Sequence, residues 1–392
     1  MNTISYRHTW AEIDLDAIYH NTQVFKKHLS HQTKLMTVVK ADGYGHGAYE
    51  VAQSAIEAGA DYLGVAFLDE ALDLRQKGIQ GPILVLGYTP PESVQEAVKN
   101  DIALTVCSED VIDRIIEVTE RHQKSATVHL KIDTGMGRLG VRSREDALHQ
   151  SQKLSSSSFI FLEGVFTHFA NADTQDPTLT KEQFQKFNVI VDHLLNHGIH
   201  ISIKHCCNSA GTINYPDMHL DMVRVGISLY GLQPSHEVDI SCLGLKQAMH
   251  FKTKLSALKE VEPGEGISYG YTFHTEKTTS IGTIPVGYAD GFSRLLSNKG
   301  DVLIRGIRVP IIGNICMDQS MIDLTGLENV HIGEEVTLFG RDNQAFLSVA
   351  EFAGFMGKVN YEVVCLIGKR VPRVYIKNQE IRAYRNCLVE TC

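Results

Sequence analysis

The sequence lacks a long apolar run. Its first residues, Met1 to Trp10, contain Arg7 and His8 and no apolar core, so neither a secretory signal nor a transmembrane span is predicted there or elsewhere in the 392 residues. It also lacks a long run of like charge, because 37 basic and 46 acidic side chains are mixed to a net charge of -9. This balance argues against binding to nucleic acid or to an anionic membrane surface. We therefore expect a cytoplasmic protein whose partners are small solutes.

Paired cysteine motifs are also missing. The eight cysteines are scattered with no C-x-x-C pair, at Cys107, Cys206, Cys207, Cys242, Cys316, Cys365, Cys387 and Cys392. Such spacing fits neither a zinc site nor a dense disulfide scaffold. We expect reduced, mostly structural thiols and no metal site.

The first 235 residues contain a repeated strand and helix pattern. Apolar runs rich in β-branched residues recur, and most are followed by apolar residues at helical spacing, as from Ala48 to Ile56. A capping pattern begins another helix at Ser143. The predicted strands are Leu35–Val39, Tyr62–Ala66, Ile83–Leu86, Ile102–Val106, Thr127–Ile132, Phe159–Phe166, Ile201–Lys204 and Met222–Val225. Eight βα units in succession predict an α/β fold, a (β/α)8 barrel of the TIM type over residues 10–235.

After about Leu232 the pattern changes to short β runs punctuated by Gly and Pro. These runs are Thr283–Val286, Val302–Ile304, Val309–Ile312 and Glu335–Leu338. One short helical pattern, Ser348 to Met356, interrupts them. We expect a mostly β C-terminal domain over residues 236–392, with segment 1–9 packed against it. No low-complexity linker separates the two parts, so a packed joint is predicted.

Lys40 is the first candidate reactive residue. It closes the first predicted barrel strand, and reactive groups of such barrels lie where strands end and βα loops begin. Three glycines in the following Ala41–Gly47 let the backbone approach a ligand closely. An isolated lysine at a strand end is more often a solvated charge, but here the surrounding motif favours a functional role.

The motif Val39-Lys-Ala-Asp-Gly-Tyr-Gly-His-Gly47 resembles the cofactor-lysine signature of alanine racemases. The resemblance covers nearly the whole chain, and its supporting motifs occur in the order that the family requires. They are Trp10–Ile18, Lys131–Gly140, Thr167–Ala170, Ser268–Gly270, Gly287–Gly291 and Ile315–Asp318. The resemblance implies pyridoxal 5'-phosphate as the cofactor, joined to Lys40 as a Schiff base. Such a lysine needs a free amine near neutral pH, which an apolar strand end and cationic neighbours promote by lowering its pKa.

The resemblance also implies the residues that hold the cofactor. They are Tyr44, His168, Ser209, Arg224, the backbone of Gly226 and Ile227, and Tyr361. Independently of the family, Ser209 and Gly226 follow the seventh and eighth predicted strands, where barrels commonly bind phosphate. Arg224 is implied to face the pyridine nitrogen, with His205 supporting it. Because arginine stays charged, it can donate a hydrogen bond to that nitrogen without protonating it, and we infer that this suppresses transamination.

Racemisation requires a base on each face of the substrate, and the resemblance supplies both. Lys40 serves one face and Tyr269 the other, the tyrosine entering from the partner subunit of a homodimer whose subunits share the active site. Substrate binding is implied for Arg138, Met317 and Tyr288, and supporting roles for Lys131, His205 and Asp318. In many of these enzymes the lysine that corresponds to Lys131 is carbamylated. The implied function is interconversion of L- and D-alanine, which supplies D-alanine for peptidoglycan synthesis.

Parts of the sequence are also compatible with other functions. Gly135–Gly140 matches G-x-G-x-x-G, the dinucleotide-binding motif of nicotinamide dehydrogenases. In those enzymes the helix opens within the glycine run, whereas here it is predicted to begin only at Ser143. The motif also lies in the fifth βα unit, and both features disfavour a dehydrogenase. A non-catalytic protein that binds pyridoxal phosphate would have the barrel alone. A decarboxylase would share the two-domain plan, but the sequence motifs around Tyr269 and Asp318 resemble those of a racemase. Alanine and serine differ by one hydroxyl, so a racemase of another amino acid such as serine stays open.

Overall fold

The computed structural model describes residues 6–389. Residues 1–5 of the predicted N-terminal segment lie outside that range, and so does Cys392. The described chain begins with strand β1 (Thr9–Asp14) and then builds a barrel followed by a large β-sheet unit.

The barrel consists of eight parallel strands in a nearly closed ring, which confirms the predicted fold class. The strands are β2 (Lys34–Val38), β3 (Tyr62–Val65), β4 (Ile83–Val85), β5 (Ala103–Val106), β6 (Ala126–Lys131), β7 (Ile160–Phe166), β8 (Ile203–His205) and β9 (Met222–Val225). Their order is β8-β7-β6-β5-β4-β3-β2-β9. Two backbone hydrogen bonds link the β8 and β9 segments. The N–H of Asp221, just before β9, donates to the Lys204 carbonyl at 3.1 Å, and the N–H of Arg224 donates to the carbonyl of Cys207, just after β8, at 3.0 Å.

Helices connect the strands, and two more lie in the second unit. They are α1 (Leu15–His28), α2 (Lys40–Tyr44), α3 (Ala48–Glu57), α4 (Leu68–Gln76), α5 (Val94–Lys99), α6 (Glu109–His122), α7 (Arg144–Ser155), α8 (Thr178–Asn196), α9 (Ser209–Asn214), α10 (Val349–Met356) and α11 (Asn360–Leu366). The predicted start at Ser143 is confirmed, because its hydroxyl accepts the backbone N–H of Asp146 at 3.0 Å. Ser348 caps α10 in the same way.

The second unit is mostly β, as predicted. Its further strands are β10 (Met249–Lys254), β11 (Ala257–Val261), β12 (Gly266–Ile267), β13 (Phe273–His274), β14 (Thr279–Ile284), β15 (Asp301–Ile304), β16 (Ile307–Ile312), β17 (Ser320–Asp323), β18 (Glu335–Asp342), β19 (Ala345–Leu347), β20 (Arg373–Lys377) and β21 (Glu380–Arg385). All but the β12-β13 pair join one sheet in the order β11-β14-β17-β16-β15-β18-β10-β1-β20-β21, with β19 beside β18. Strand β14 ends at Ile284, earlier than predicted, since Pro285 has no N–H for a ladder.

Strand β1 corrects the predicted domain boundary at residue 10. It pairs antiparallel with β10 and parallel with β20, so residues 10–14 lie in the sheet of the second unit and not in the barrel. Alternating burial along Thr9–Asp14 explains the placement, because one face of the strand packs into the core.

The joint between the two units is packed, as expected. One continuous cluster of buried apolar side chains includes Val39 and Tyr44 of the barrel and Val364 and Tyr375 of the second unit. Between residues 6 and 389, no helix combines the length and the apolar character that crossing a bilayer requires.

Candidate active site

Lys40 follows β2 and opens a left-handed turn. Ala41, Asp42, Gly43 and Tyr44 all have positive φ angles between 51° and 60°. This conformation costs roughly 1–2 kcal/mol for each residue that carries a β-carbon, so the surrounding structure must hold it. The sequence motif predicts a functional lysine at this position but does not reveal the left-handed geometry of the turn.

Contacts from outside the barrel hold the turn. Arg385 of β21 binds the Asp42 carboxylate, and Asp42 Oδ1 also accepts the backbone N–H of Ala48 at 3.0 Å. Arg373 of β20 donates from Nε to the Gly45 carbonyl at 3.0 Å. The second unit therefore positions the segment that carries Lys40.

We expect Asp42→Asn to lower the free energy of unfolding at pH 7 by about 0.5–1 kcal/mol, a small loss because the Asp42 side chain is 46% exposed. Burial opposes ionisation, yet the hydrogen bonds and charge of Arg385 hold the pKa of Asp42 below its usual value. The unfolded chain thus binds the proton more tightly, and this stability is present above about pH 4 and lost as pH falls through the lower folded pKa. Urea unfolding at pH 7 and pH 3 measures the difference. Asp73→Asn, in the exposed pair with Lys77, is the control; a wild-type-to-variant gap that persists unchanged at pH 3 would contradict the assignment.

A cavity of about 200 Å³ opens at the carboxyl ends of the barrel strands. Ten of the predicted site residues line it together: Lys40, Tyr44, Lys131, Arg138, His168, Ser209, Arg224, Gly226, Ile227 and Tyr361. Val38, Leu86, Phe166 and Asn208 also line it and were not predicted. Asn208 caps α9 by accepting the Gly211 N–H at 2.9 Å, and its place directly before Ser209 was the available signal.

Basic side chains are the charged groups of the cavity lining. Lys40, Lys131, Arg138 and Arg224 line it, and the lining residues within 6–389 include no carboxylate. Burial first, and then the Arg138 guanidinium, lower the pKa of Lys40, although Glu70 opposes the shift. Burial together with Arg224 and Arg138 places the pKa of Lys131 well below its usual value. The donor set therefore fits an anionic ligand with an aldehyde, since Lys40 is biased towards the free amine.

Arg224 is held rigidly at the cavity floor. Its guanidinium donates to the carbonyls of Thr167 at 2.8 Å and Cys206 at 2.9 Å, and to His205 Nδ1 at 2.9 Å. Burial lowers the pKa of Arg224 to about 10, so it stays charged at neutral pH. His168 Nδ1 lies 3.4 Å from Arg224, and burial with that charge keeps the His168 pKa well below its usual value. His205 accepts a hydrogen bond from Arg224 and is not among the residues that line the cavity.

The expected phosphate-binding residues of the cavity lining lie near one another. The Gly226 N–H donates to Ser209 Oγ at 2.9 Å. A β-carbon on Gly226 would come within 2.6 Å of the Tyr44 hydroxyl, so only glycine allows this approach. The rings of Tyr44 and Tyr361 lie 6.1 Å apart.

The predicted residues of the β unit form a separate surface cluster. Tyr269 is 74% exposed, Met317 52% and Tyr288 45%, and none of them lines the Lys40 cavity in this chain. Asn314 joins the cluster by donating to the Tyr269 carbonyl at 2.7 Å. Asp318 binds Arg370 at 2.6 Å. A single chain therefore carries both predicted halves of the site but does not unite them.

The comparison with known proteins gives two family matches. Residues 13–234 match the alanine racemase N-terminal domain, and residues 248–375 match the alanine racemase C-terminal domain. The chain belongs to the alanine racemase family. Alanine racemase 2 of Oceanobacillus iheyensis is 54% identical, with 98% of this chain and 97% of that protein covered. This racemase is therefore a pyridoxal-phosphate-dependent isomerase, and the alternatives of a dehydrogenase, a decarboxylase and a barrel-only binding protein are disfavoured.

Solved structures agree with the family. The alanine racemase from Bacillus anthracis with bound L-Ala-P has a TM-score of 0.91 at 40% identity, covering 98% of this chain and 99% of that one. The histidine racemase from Leuconostoc mesenteroides has a TM-score of 0.88 at 31% identity, covering 95% and 99%. The same architecture therefore occurs in proteins named for two different amino acids.

Proposed function

We propose that the racemase works as a homodimer in which Lys40 of one subunit and the partner subunit's Tyr269 act on opposite faces of alanine. The observation that carries this proposal is the separation within one chain: the cavity contains a lysine biased towards the free amine, whereas Tyr269 is exposed on the β unit. A second chain that covers the cavity would bring the missing base and exclude water.

The cavity residues divide the remaining work. Bound pyridoxal phosphate supplies an electron sink for the carbon that loses its proton. Ser209, Tyr44, Tyr361 and the backbone of Gly226 and Ile227 would hold the phosphate. Arg224 would donate to the ring nitrogen, and His168 would support the ring.

Arg138 is proposed to bind the substrate carboxylate with its planar set of donors. Lys131 is buried beside it, with its Nζ 3.9 Å from the centre of the Phe166 ring. A free amine there is compatible with carbamylation, which would turn a cation into an anion able to orient Arg138. Asp318 supports the β-unit cluster through Arg370.

The dimer can be tested by mixing two inactive variants, Lys40→Ala and Tyr269→Phe. In a fully exchanged equimolar mixture half of the dimers are mixed, and each has one intact site, so we expect about one quarter of wild-type activity. The control mixes wild type with the Lys40→Ala/Tyr269→Phe double variant. There, exchange gives dimers in which both sites are defective, and activity should fall. Absence of recovery after verified exchange would place both bases in one chain.

The substrate is proposed to be alanine, with the partner's Met317 and Tyr288 closing the pocket. An initial-rate assay on L- and D-alanine, serine and histidine tests this choice. We expect kcat/KM for alanine to exceed that for serine by about tenfold, because a small pocket discriminates only modestly against one added hydroxyl. Histidine belongs in the panel because one structural neighbour is named for it. A higher kcat/KM for serine or histidine would overturn the assignment.

The setting proposed for the reaction is the cytoplasm, where D-alanine would feed peptidoglycan synthesis for the cell wall. Growth of a D-alanine auxotroph on expression of the chain tests this supply. For the domain division, we propose residues 15–235 as the barrel unit, and residues 6–14 and 236–389 as the β unit.

A further inference from the structure

A line of polar groups runs from the cavity through two buried histidines to the part-buried Glu163. Arg224 Nη1 lies 2.9 Å from His205 Nδ1, and His205 Nε2 lies 3.0 Å from His129 Nδ1. His129 Nε2 lies 3.0 Å from Glu163 Oε2, which also accepts the Tyr62 hydroxyl at 2.8 Å. None of the predicted roles involves His129 or Glu163.

Arg224 at one end of the line and Glu163 at the other determine which ring nitrogen of each histidine carries a proton. Arginine has donors only, so His205 must present an unprotonated Nδ1. A neutral His205 then has its proton on Nε2, which donates to His129 Nδ1. By the same reasoning His129 has its proton on Nε2 and donates it to the Glu163 carboxylate. All the donors point away from the cavity.

The barrel is shaped to contain this line. Both imidazoles are fully buried, and the Phe166 ring stacks on His205 with centroids 4.6 Å apart. A β-carbon on Gly164 of β7 would overlap the His129 ring, and the β6-β7 register shifts between Val128 and His129. Glycine and the bulge therefore make room for the His129 side chain.

The charges that face the line favour neutral histidines. Burial, and then the Arg224 charge, lower the pKa of His205 well below its usual value, and Lys131 adds to the effect. Burial also lowers the pKa of His129, against the opposing pull of Glu163. Burial would raise the pKa of Glu163, but the hydrogen bonds from His129 and Tyr62 and the charge of Lys34 hold it below its usual value. The carboxylate at the far end is therefore an anion.

We propose that His129 and Glu163 are positioning residues, which fix His205 in the one tautomer that accepts from Arg224 and so keep Arg224 aimed at the ring nitrogen of the cofactor. This inference rests on the proposed role of Arg224. Without the line, His205 could present an N–H to Arg224, and two donors would then face each other. Arg224 would turn, and the ring nitrogen could take a proton from water.

Neutron diffraction of the deuterated wild-type holoenzyme tests the tautomers directly. We expect deuterons on Nε2 of both His129 and His205, and none on either Nδ1. A deuteron on His205 Nδ1 would overturn the proposal, whether His205 was neutral or doubly protonated.

A variant tests the consequence for the cofactor. A protonated ring nitrogen strengthens the electron sink. Glu163→Leu removes the acceptor of the His129 Nε2–H and should raise the amount of pyridoxamine phosphate and keto acid formed per racemisation by about tenfold, the size of effect typical of losing a residue that orients a ligand-binding group. Thr105→Val is the control, because it removes another buried hydrogen bond of the barrel, to the Val85 carbonyl. A ratio that is equal in Glu163→Leu, Thr105→Val and wild type would overturn the inference while wild-type racemisation remained intact. Absent racemisation in a wild-type enzyme with the expected tautomers would instead refute the proposed function.

Discussion

Replacing Lys40 by alanine is expected to remove the visible absorption band of the lysine-bound cofactor and to lower racemisation by at least about 1000-fold. The side chain lines the cavity that also contains the other residues predicted to bind the cofactor. Its lowered pKa favours the free amine that attacks an aldehyde. The variant loses both the covalent link and one of the two bases. Absorption spectra after gel filtration and an initial-rate assay with alanine measure the two effects.

The control for this experiment is Lys99→Ala, which removes an exposed lysine paired only loosely with Glu96 at 3.9 Å. It should leave the spectrum and the rate unchanged. An unaltered visible band in Lys40→Ala would mean that the cofactor aldehyde is bound elsewhere.

Replacing Tyr269 by phenylalanine is expected to slow removal of the α-proton from one enantiomer of alanine by about 100-fold or more, and from the other far less. The reason is geometric, because the phenol serves one face of the substrate while Lys40 still serves the other. Net racemisation must fall equally in both directions, since two enantiomers have equal free energy. The measurement is therefore exchange of the α-hydrogen with deuterium oxide, followed separately for L- and D-alanine by NMR.

Tyr271→Phe provides the matched control, since Tyr271 is also exposed and lies two residues away. It should leave both exchange rates near the wild-type values. Equal losses of exchange from both enantiomers in Tyr269→Phe would count against separate bases on the two faces.

The expected results for Lys40 and Tyr269 differ in what they require of the fold. Lys40 is positioned by its own strand, by the left-handed turn that follows and by Arg373 and Arg385 of the second unit. Tyr269 is positioned by a local β-unit cluster and, in the proposed dimer, by the contact between subunits.

The sequence by itself determined the barrel, the β unit and most of the residues that line the Lys40 cavity. Strand and helix periods are local properties, so the eight barrel strands could be predicted to within a few residues. The Lys40 motif is also contiguous. Ser209 and Gly226 could be assigned independently of the family because they follow the last two barrel strands, and the barrel closes those ends around one point.

Only the tertiary structure decided how distant segments meet. Strand β1 pairs with β10 and β20 of the second unit. This pairing could not be predicted from the sequence, because the partner strands lie more than 200 residues away and local patterns do not encode such pairings. The line from Arg224 through His129 to Glu163 likewise joins side chains of different strands whose contact depends on barrel closure and on the missing side chain at Gly164. Sequence patterns determine which residues form each element, whereas packing between elements determines which side chains share a hydrogen bond.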